Sequence, residues 1–392
     1  MIGVEEAQAR VLALHAPVSM EVVPLSEAAG RWTAAPVVAK RTQPAHDLSA
    51  MDGYAIRFAD AAGPWTVIGE SAAGVPFTGE IGPSQAARIF TGAALPAGSD
   101  TIVIQENVVR DGDQLSLSDN GPQFHGEYVR TAGSDFTTGA TLIEAGLLLT
   151  PARIALAVMG GHGTIAVRRR LRVAIISTGN ELVPAGTEAG PDRLPSSNAP
   201  MLAALLRHLP VDVVDLGIIA DDLTALTEAF ATSRTCDIVV STGGASVGDH
   251  DLVRPALNAA GATIDFWKVS MRPGKPLMAG RLGDTVVLGL PGNPVSALVT
   301  AVLFLRPLIA HLSGATDPLP VRMGVRMGES LPAVGWRTDF VRAQWVDGSL
   351  VPTFAGDSGM LFPLASADAL VIRAAGSPVL EAGAMVEAIP LA

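Results

Sequence analysis

The acidic side chains of the third quarter of the chain are the first candidates for chemistry. Glu181 lies in Thr178-Gly179-Asn180-Glu181-Leu182, Asp221-Asp222 precede an apolar periodic run, and Asp249 and Asp251 flank His250. Two carboxylates about 4 Å apart repel by about 4 kcal/mol at an effective dielectric near 20, so gathering them is costly without a cation. A divalent ion among them would remove that cost. Asp is also an ordinary helix cap, and on residue type alone both Asp221 and Asp251 carry that second reading. His250 beside carboxylates is no zinc signature. Three cations follow, Lys268, Arg272 and Lys275, in Lys-Val-Ser-Met-Arg-Pro-Gly-Lys-Pro, where two prolines and a glycine stiffen the backbone. Such a loop lets an acidic chain meet an oxyanion, although Lys and Arg in loops are commonly just solvated.

What positions these groups is a set of loops, each placed directly after a β-branched run. The Glu181 loop follows 172–177; Gly243-Gly244-Ala245-Ser246-Val247-Gly248-Asp249 follows 237–241; Pro291-Gly292-Asn293-Pro294 with Ser296 follows 284–289. In an open parallel sheet the carboxyl ends of the strands expose backbone N–H groups and helix N-termini, which is where ligands bind. Three such loops predict one pocket. The spacing predicts helices over 198–208, 222–233, 251–260 and 294–311 and a further strand over 211–219, hence a doubly wound, mostly parallel α/β domain.

Upstream, Val4, Ala7, Val11 and Leu14 fall at helical spacing, and residues 30–135 carry short strands broken by Gly and Pro, such as 65–68 and 101–109. Thr150 followed by Pro151, with Gly160-Gly161 as a stop, predicts a helix over 151–159. Arg168-Arg169-Arg170 reads as a solvated junction, and the chain beyond Leu319 is again strand-like.

Over 392 residues the chain is 48% hydrophobic and 17% charged, with a net charge of -11, which disfavours a nucleic-acid binder. The amino terminus carries Glu5 and Glu6 and no apolar core of a secretory signal. The longest apolar run, 295–305, is short of the roughly 20 residues of a membrane span and reads as a buried helix. Cys236 is the single cysteine, which excludes an internal disulfide, fits a reducing cytoplasm and reads as a core residue.

Five motifs in order resemble the MoeA-like molybdopterin molybdenumtransferases, the family that includes the gephyrin E domain: Ser49-Ala50-Met51-Asp52-Gly53-Tyr54-Ala55, Arg88-Ile89-Phe90-Thr91-Gly92-Ala93, Ser177 to Leu182, Gly243 to Gly248, and Leu290 to Ser296. Arg272-Pro273-Gly274-Lys275-Pro276 adds to them. The resemblance covers essentially the full length. It implies insertion of molybdenum from molybdate into adenylylated molybdopterin with release of AMP, with Mg²⁺ on the carboxylates and no cysteine nucleophile. It implies a multidomain α/β fold: a linking and dimerisation segment (1–45 and 136–170), a β-rich domain (46–135), the α/β molybdopterin-binding domain (171–319) and a small β-barrel-like domain (320–392).

By motif position the resemblance assigns Asp52, Thr91, Arg130 and Asp135 to the site from the β-rich domain, across the interface of a homodimer. On spacing alone Asp52 is a turn residue and Thr91 a strand end. Glu181, Asp221, Asp251 and Lys268 match family positions of the α/β domain, and Arg337 and Ser358 fall, more loosely, where the molybdate pocket receives help. Candidate partners are molybdopterin adenylyltransferase and molybdoenzyme apoproteins or their chaperones, with no nucleic acid and no membrane. Three positions depart from the pattern: Asn180 for Asp, Arg272 for Lys and Ser134 for Glu. Alternative readings are a molybdopterin adenylyltransferase and a gephyrin-like scaffold; the additional domains disfavour the first. The chain begins at its first helix and keeps the pocket charges, which disfavours the second.

Overall fold

The computed structural model describes residues 1–188, 190–244, 252–353 and 357–391. It forms two compact units, one made of residues 1–35, 145–150 and 166–392, the other of 36–144 and 151–165. This is a coarser division than the four parts expected.

The first unit is built on a six-stranded sheet in the order Val211–Ile219, Leu171–Thr178, Ile238–Thr242, Thr285–Leu290, Met278–Leu282, Thr263–Trp267. The first four are mutually parallel, and Met278–Leu282 runs antiparallel to both of its neighbours. Those last two strands are additions to the expected set, because their segment, rich in prolines and cations, reads as loop.

Alternation along Leu171–Thr178 sends Val173 and Ile175 to one face and Ala174 and Ile176 to the other. The first face is covered by Val4–Leu12 through Val4, Ala7 and Val11, by Asn198–Leu206 through Leu202 and Leu206, and by Val299 and Leu303 of the 294–312 stretch. The second is covered by Leu223–Ser233 through Leu226 and Phe230 and by Val253–Ala259 through Ala256 and Leu257. A sheet apolar on both faces has to be wound on both, and each buried Leu or Phe contributes about 1.5–3 kcal/mol.

Pro294–Leu312 is helical throughout, as Pro294–Thr300, a π turn over Ala301–Leu305 and Arg306–Leu312. Its 19 residues are long and apolar enough to cross a membrane by length and composition, but 83% of its most apolar window is buried inside the protein. It is a core helix. Pro307 has no N–H to give the Leu303 carbonyl, and the buried Gln8 supplies one, its Nε2 donating at 2.9 Å.

The triple arginine stays partly solvated, with 40% of the Arg169 and 47% of the Arg170 side chain exposed, and is paired as well. Arg168 Nη1 donates to Val18 O at 2.8 Å, Arg169 grips Asp237 with both Nη atoms at 2.8 and 2.6 Å, and Arg170 Nε donates to Asp212 at 2.8 Å. Half-burial raises the Asp237 pKa, but the Arg169 bonds and the Arg172 N–H outweigh it and hold the carboxyl below its usual range. Cys236 is buried, and its carbonyl accepts from Thr285 Oγ1 at 2.8 Å.

A second sheet of this unit runs Met271–Arg272, Thr338–Val346, Ala369–Arg373, Met385–Pro390, Met323–Arg326, with Ser349–Pro352 on the far part of Thr338–Val346. Phe340, Leu370 and Ile389 from it join the first-face core. Met271–Arg272 is contributed by the cationic loop, pairing parallel with Thr338 and Asp339.

The other unit holds the sheet Thr101–Ile104, Gly53–Ile56, Gln85–Ile89, Trp65–Ser71, Gln114–Leu117, Val108–Asp111, together with the helix Pro151–Met159.

Gln8→Leu keeps the volume but removes the donor to Leu303 O. Leaving a buried carbonyl unsatisfied costs about 1–3 kcal/mol, and the Gln8 Oε1, itself buried without a hydrogen-bond partner, brings the expected loss to about 1 kcal/mol. Urea denaturation would read it, and a variant as stable as the parent would refute the role of Gln8.

Candidate functional site

The three strand-end loops meet. Gly243, at φ +94°, lies so close to the Leu171–Thr178 strand that a Cβ on it would sit 2.4 Å from Thr178 O and 2.7 Å from Thr178 Oγ1. A Cβ on Gly292 would sit 3.3 Å from Gly243 Cα. Backbone packs on backbone there, and at position 243 only glycine fits.

Around this floor opens a cleft of about 1220 Å³. Thr178, Gly179 and Glu181 line it from the first loop, Asp221 from the end of Val211–Ile219, Gly243 and Gly244 from the second loop, and Pro291, Gly292, Asn293, Pro294 and the buried Ser296 from the third. Arg272 and Lys275 of the cationic loop line it too, and the second sheet contributes Arg337, Asp339, Arg342 and Ser358. Ser246, Gly248, Asp249 and Asp251 lie outside the described residues.

Asp221 and Asp222 divide their work. Asp222 Oδ1 accepts from Ala225 N at 2.9 Å and caps Leu223–Ser233. Asp221 is thereby released from capping: its Oδ2 accepts from Asn180 N at 3.2 Å, while Asn180 Oδ1 accepts from Asp221 N at 3.1 Å. Asn180 thus braces Asp221. The exposed Glu181 carboxylate folds back over Gly179, where a Cβ would lie 2.6 Å from Oε2. Among the described residues no three His, Cys, Asp or Glu side chains form a metal-holding group.

The cations differ in how they are held. Arg272 Nη2 donates to the buried Asp339, whose strand register places it directly opposite Arg272. Arg342, 7% exposed, donates to Met360 O and Asp357 O at 3.2 and 3.4 Å, and burial pulls its pKa down while the charge of Asp357 opposes that. Arg337 rests on the Trp336 ring, 5.2 Å from its centroid. Asn293 Nδ2 donates to Ser358 Oγ at 2.7 Å, joining the third loop to the second sheet. Lys268 differs from expectation: it is not among the described residues lining the cleft, and with φ +84° its Nζ lies 4.1 Å from the Trp267 ring centroid.

Asp339 and Arg342 escaped sequence reasoning. Their signal was charge at positions of an otherwise apolar strand, where an unpaired charge would be costly.

In the other unit Asp52 and Thr91 do come together. Asp52 Oδ1 accepts from Thr91 N at 2.7 Å and from Thr91 Oγ1 at 2.9 Å. These bonds, backbone first, together with the charge of Arg88 hold the Asp52 carboxyl below its usual pKa range. Arg130 pairs with Leu48, four residues before Asp52, and is exposed; Asp135 is exposed, its N–H donating to Gln43 O at 3.1 Å.

Comparison with known proteins agrees with this architecture. Residues 2–161 match the MoeA N-terminal region (domain I and II), 174–311 a probable molybdopterin binding domain, and 324–391 the MoeA C-terminal region (domain IV). The chain is 37% identical to a molybdopterin molybdenumtransferase of Nostoc sp. over 93% of its own length and 87% of that protein's. It is 36% identical to one of Haemophilus influenzae over 80% and 78% of the respective lengths. The solved structure of a molybdopterin biosynthesis moeA protein from Pyrococcus horikoshii OT3 superposes with a TM-score of 0.86, at 26% identity and full coverage of both chains. With all three regions present in order and relatives above a third identical over most of their length, the chain belongs to the MoeA family.

Proposed function

We propose that this chain is a molybdopterin molybdenumtransferase that takes adenylylated molybdopterin and molybdate and releases AMP. The observation that carries this reading is the cleft itself, where backbone-lined strand-end loops face Arg272, Lys275 and Arg337 within one chain of net charge -11. The loops offer N–H groups and room for a pterin with its phosphates, and the cations offer a seat for a dianionic oxyanion. In the overall change, one water opens the phosphoanhydride and its oxygen leaves on AMP, while the two dithiolene sulfurs replace two oxygen ligands on molybdate, which depart as two waters with the two thiol protons and two protons from solvent.

Glu181, Asp221 and Asp251 are the carboxylates we assign to Mg²⁺. Asp221 fits because Asp222 has taken over the cap. Bound there, the ion supplies neutralisation of phosphate charge and polarisation of the anhydride. The chain's own part is placement: Asn180 braces Asp221, and Asp339 holds Arg272, whose planar fork suits an oxyanion edge.

The direct test is incubation with adenylylated molybdopterin, molybdate and Mg²⁺, following AMP. Release should require both additions and stop with EDTA. Undiminished release in EDTA would remove the metal assignment, and absence of AMP in the complete mixture would remove the function.

The two neighbouring aspartates give a sharper contrast. Asp221→Asn keeps an acceptor for Asn180 and should lower the rate at least about tenfold, about 1.4 kcal/mol of barrier, with an unchanged melting temperature. Asp222→Ala should lose about 0.5–2 kcal/mol of stability and keep the rate of the folded fraction. If the two variants exchange these behaviours, Asp221 is the structural residue.

A further inference from the structure

Trp336 is a large aromatic side chain left 63% exposed beside the cleft. Its backbone is fixed from both sides: its carbonyl accepts from Ser270 Oγ at 3.3 Å, Thr338 N donates to Ser270 O at 3.1 Å, and Gly376 N donates to Gly335 O at 2.7 Å. Trp336 itself does not line the cleft, but the next residue, Arg337, does, with its guanidinium 5.2 Å from the Trp336 ring centroid.

The two interactions open to a guanidinium are orthogonal. Stacking uses the flat face, and hydrogen bonding to an oxyanion uses the N–H groups at the edge. Arg272 already gives one nitrogen to Asp339, and Arg342 donates to the Met360 and Asp357 carbonyls. Arg337 makes no ion pair to a carboxylate among the described residues, so its edge is available to a ligand while the ring restricts where that edge points.

We propose that Trp336 is a positioning residue, an aromatic platform on a fixed backbone that holds the Arg337 guanidinium toward the cleft so that its N–H edge meets the oxyanion substrate. A long arginine at a cleft mouth otherwise spreads over many rotamers, and restricting them before binding strengthens the bound state. Trp336 acts on substrate capture, not on the anhydride-opening step. The inference rests on the reading of the cleft as the molybdate-using site.

The test is steady-state AMP release at saturating adenylylated molybdopterin with molybdate varied. Trp336→Ala should raise the molybdate KM about two- to five-fold, the scale of one exposed cation–π contact, while kcat and melting temperature hold. Trp336→Phe, which keeps a ring, should recover most of the lost affinity. In an Arg337→Ala background, Trp336→Ala should add no further rise. An unchanged KM in Trp336→Ala overturns the proposal, as does an equal rise in the Arg337→Ala background, which would mean that Trp336 touches the ligand itself. A lower melting temperature and kcat with unchanged KM overturns it in favour of a purely structural Trp336. If the parent protein releases AMP with no dependence on molybdate, the functional reading fails and the proposal with it; if the parent is molybdate-dependent and only the Trp336 effects are missing, the proposal fails alone.

Discussion

The approach of backbone to backbone at Gly243 is the constraint on which the rest of the site depends. Its missing Cβ lets the loop after Ile238–Thr242 lie against Thr178, and the missing Cβ of Gly292 lets the third loop approach Gly243 Cα in turn. This is possible because Ile238–Thr242 is hydrogen-bonded in parallel to both Leu171–Thr178 and Thr285–Leu290, so three successive carboxyl ends emerge side by side. A side chain at 243 would push the loops apart and raise the cleft floor. The two-faced apolar core has the complementary task of keeping those strands in register, since a slip of one residue would send Val173 and Ile175 to the wrong face.

The second dependence is electrostatic. An acidic chain can hold an anion only if its cations are fixed where the anion sits, and here the fixing comes from the second sheet. Met271–Arg272 is drawn into that sheet, which brings Arg272 against Asp339, while Thr338–Val346 carries Arg342 into a buried place against carbonyl oxygens. The same strand edge supplies Arg337. Pairing does not waste these charges: a guanidinium bound through one nitrogen keeps N–H groups for another acceptor.

The sequence showed the alternation of β-branched runs and helices clearly, because each strand buried on both faces is a short continuous apolar stretch with a turn after it. The site loops were legible for the same reason. Thr263–Trp267 and Met278–Leu282 were not, since the segment between them is dominated by the prolines and cations that mark a loop. Asp339 faces Arg272 through a strand pairing between segments more than sixty residues apart, and Arg342 pairs with Leu370 of yet another strand, which local pattern cannot carry. Asp221 and Asp222 were equivalent as residue types, and only the Ala225 bond separates cap from site residue. Lys268 shows the reverse: motif position places it in the site, and its backbone conformation turns the amine onto Trp267.

Gly243→Ala tests the central claim most directly, because it adds a single methyl where three loops touch and removes no polar group. Molybdopterin binding would be titrated on variant protein whose circular dichroism matches the parent's. The close packing of that methyl on Thr178 predicts affinity weakened by at least about tenfold, roughly 1.4 kcal/mol. Binding equal to the parent's would contradict the account, because the loops would then tolerate a side chain that the geometry forbids.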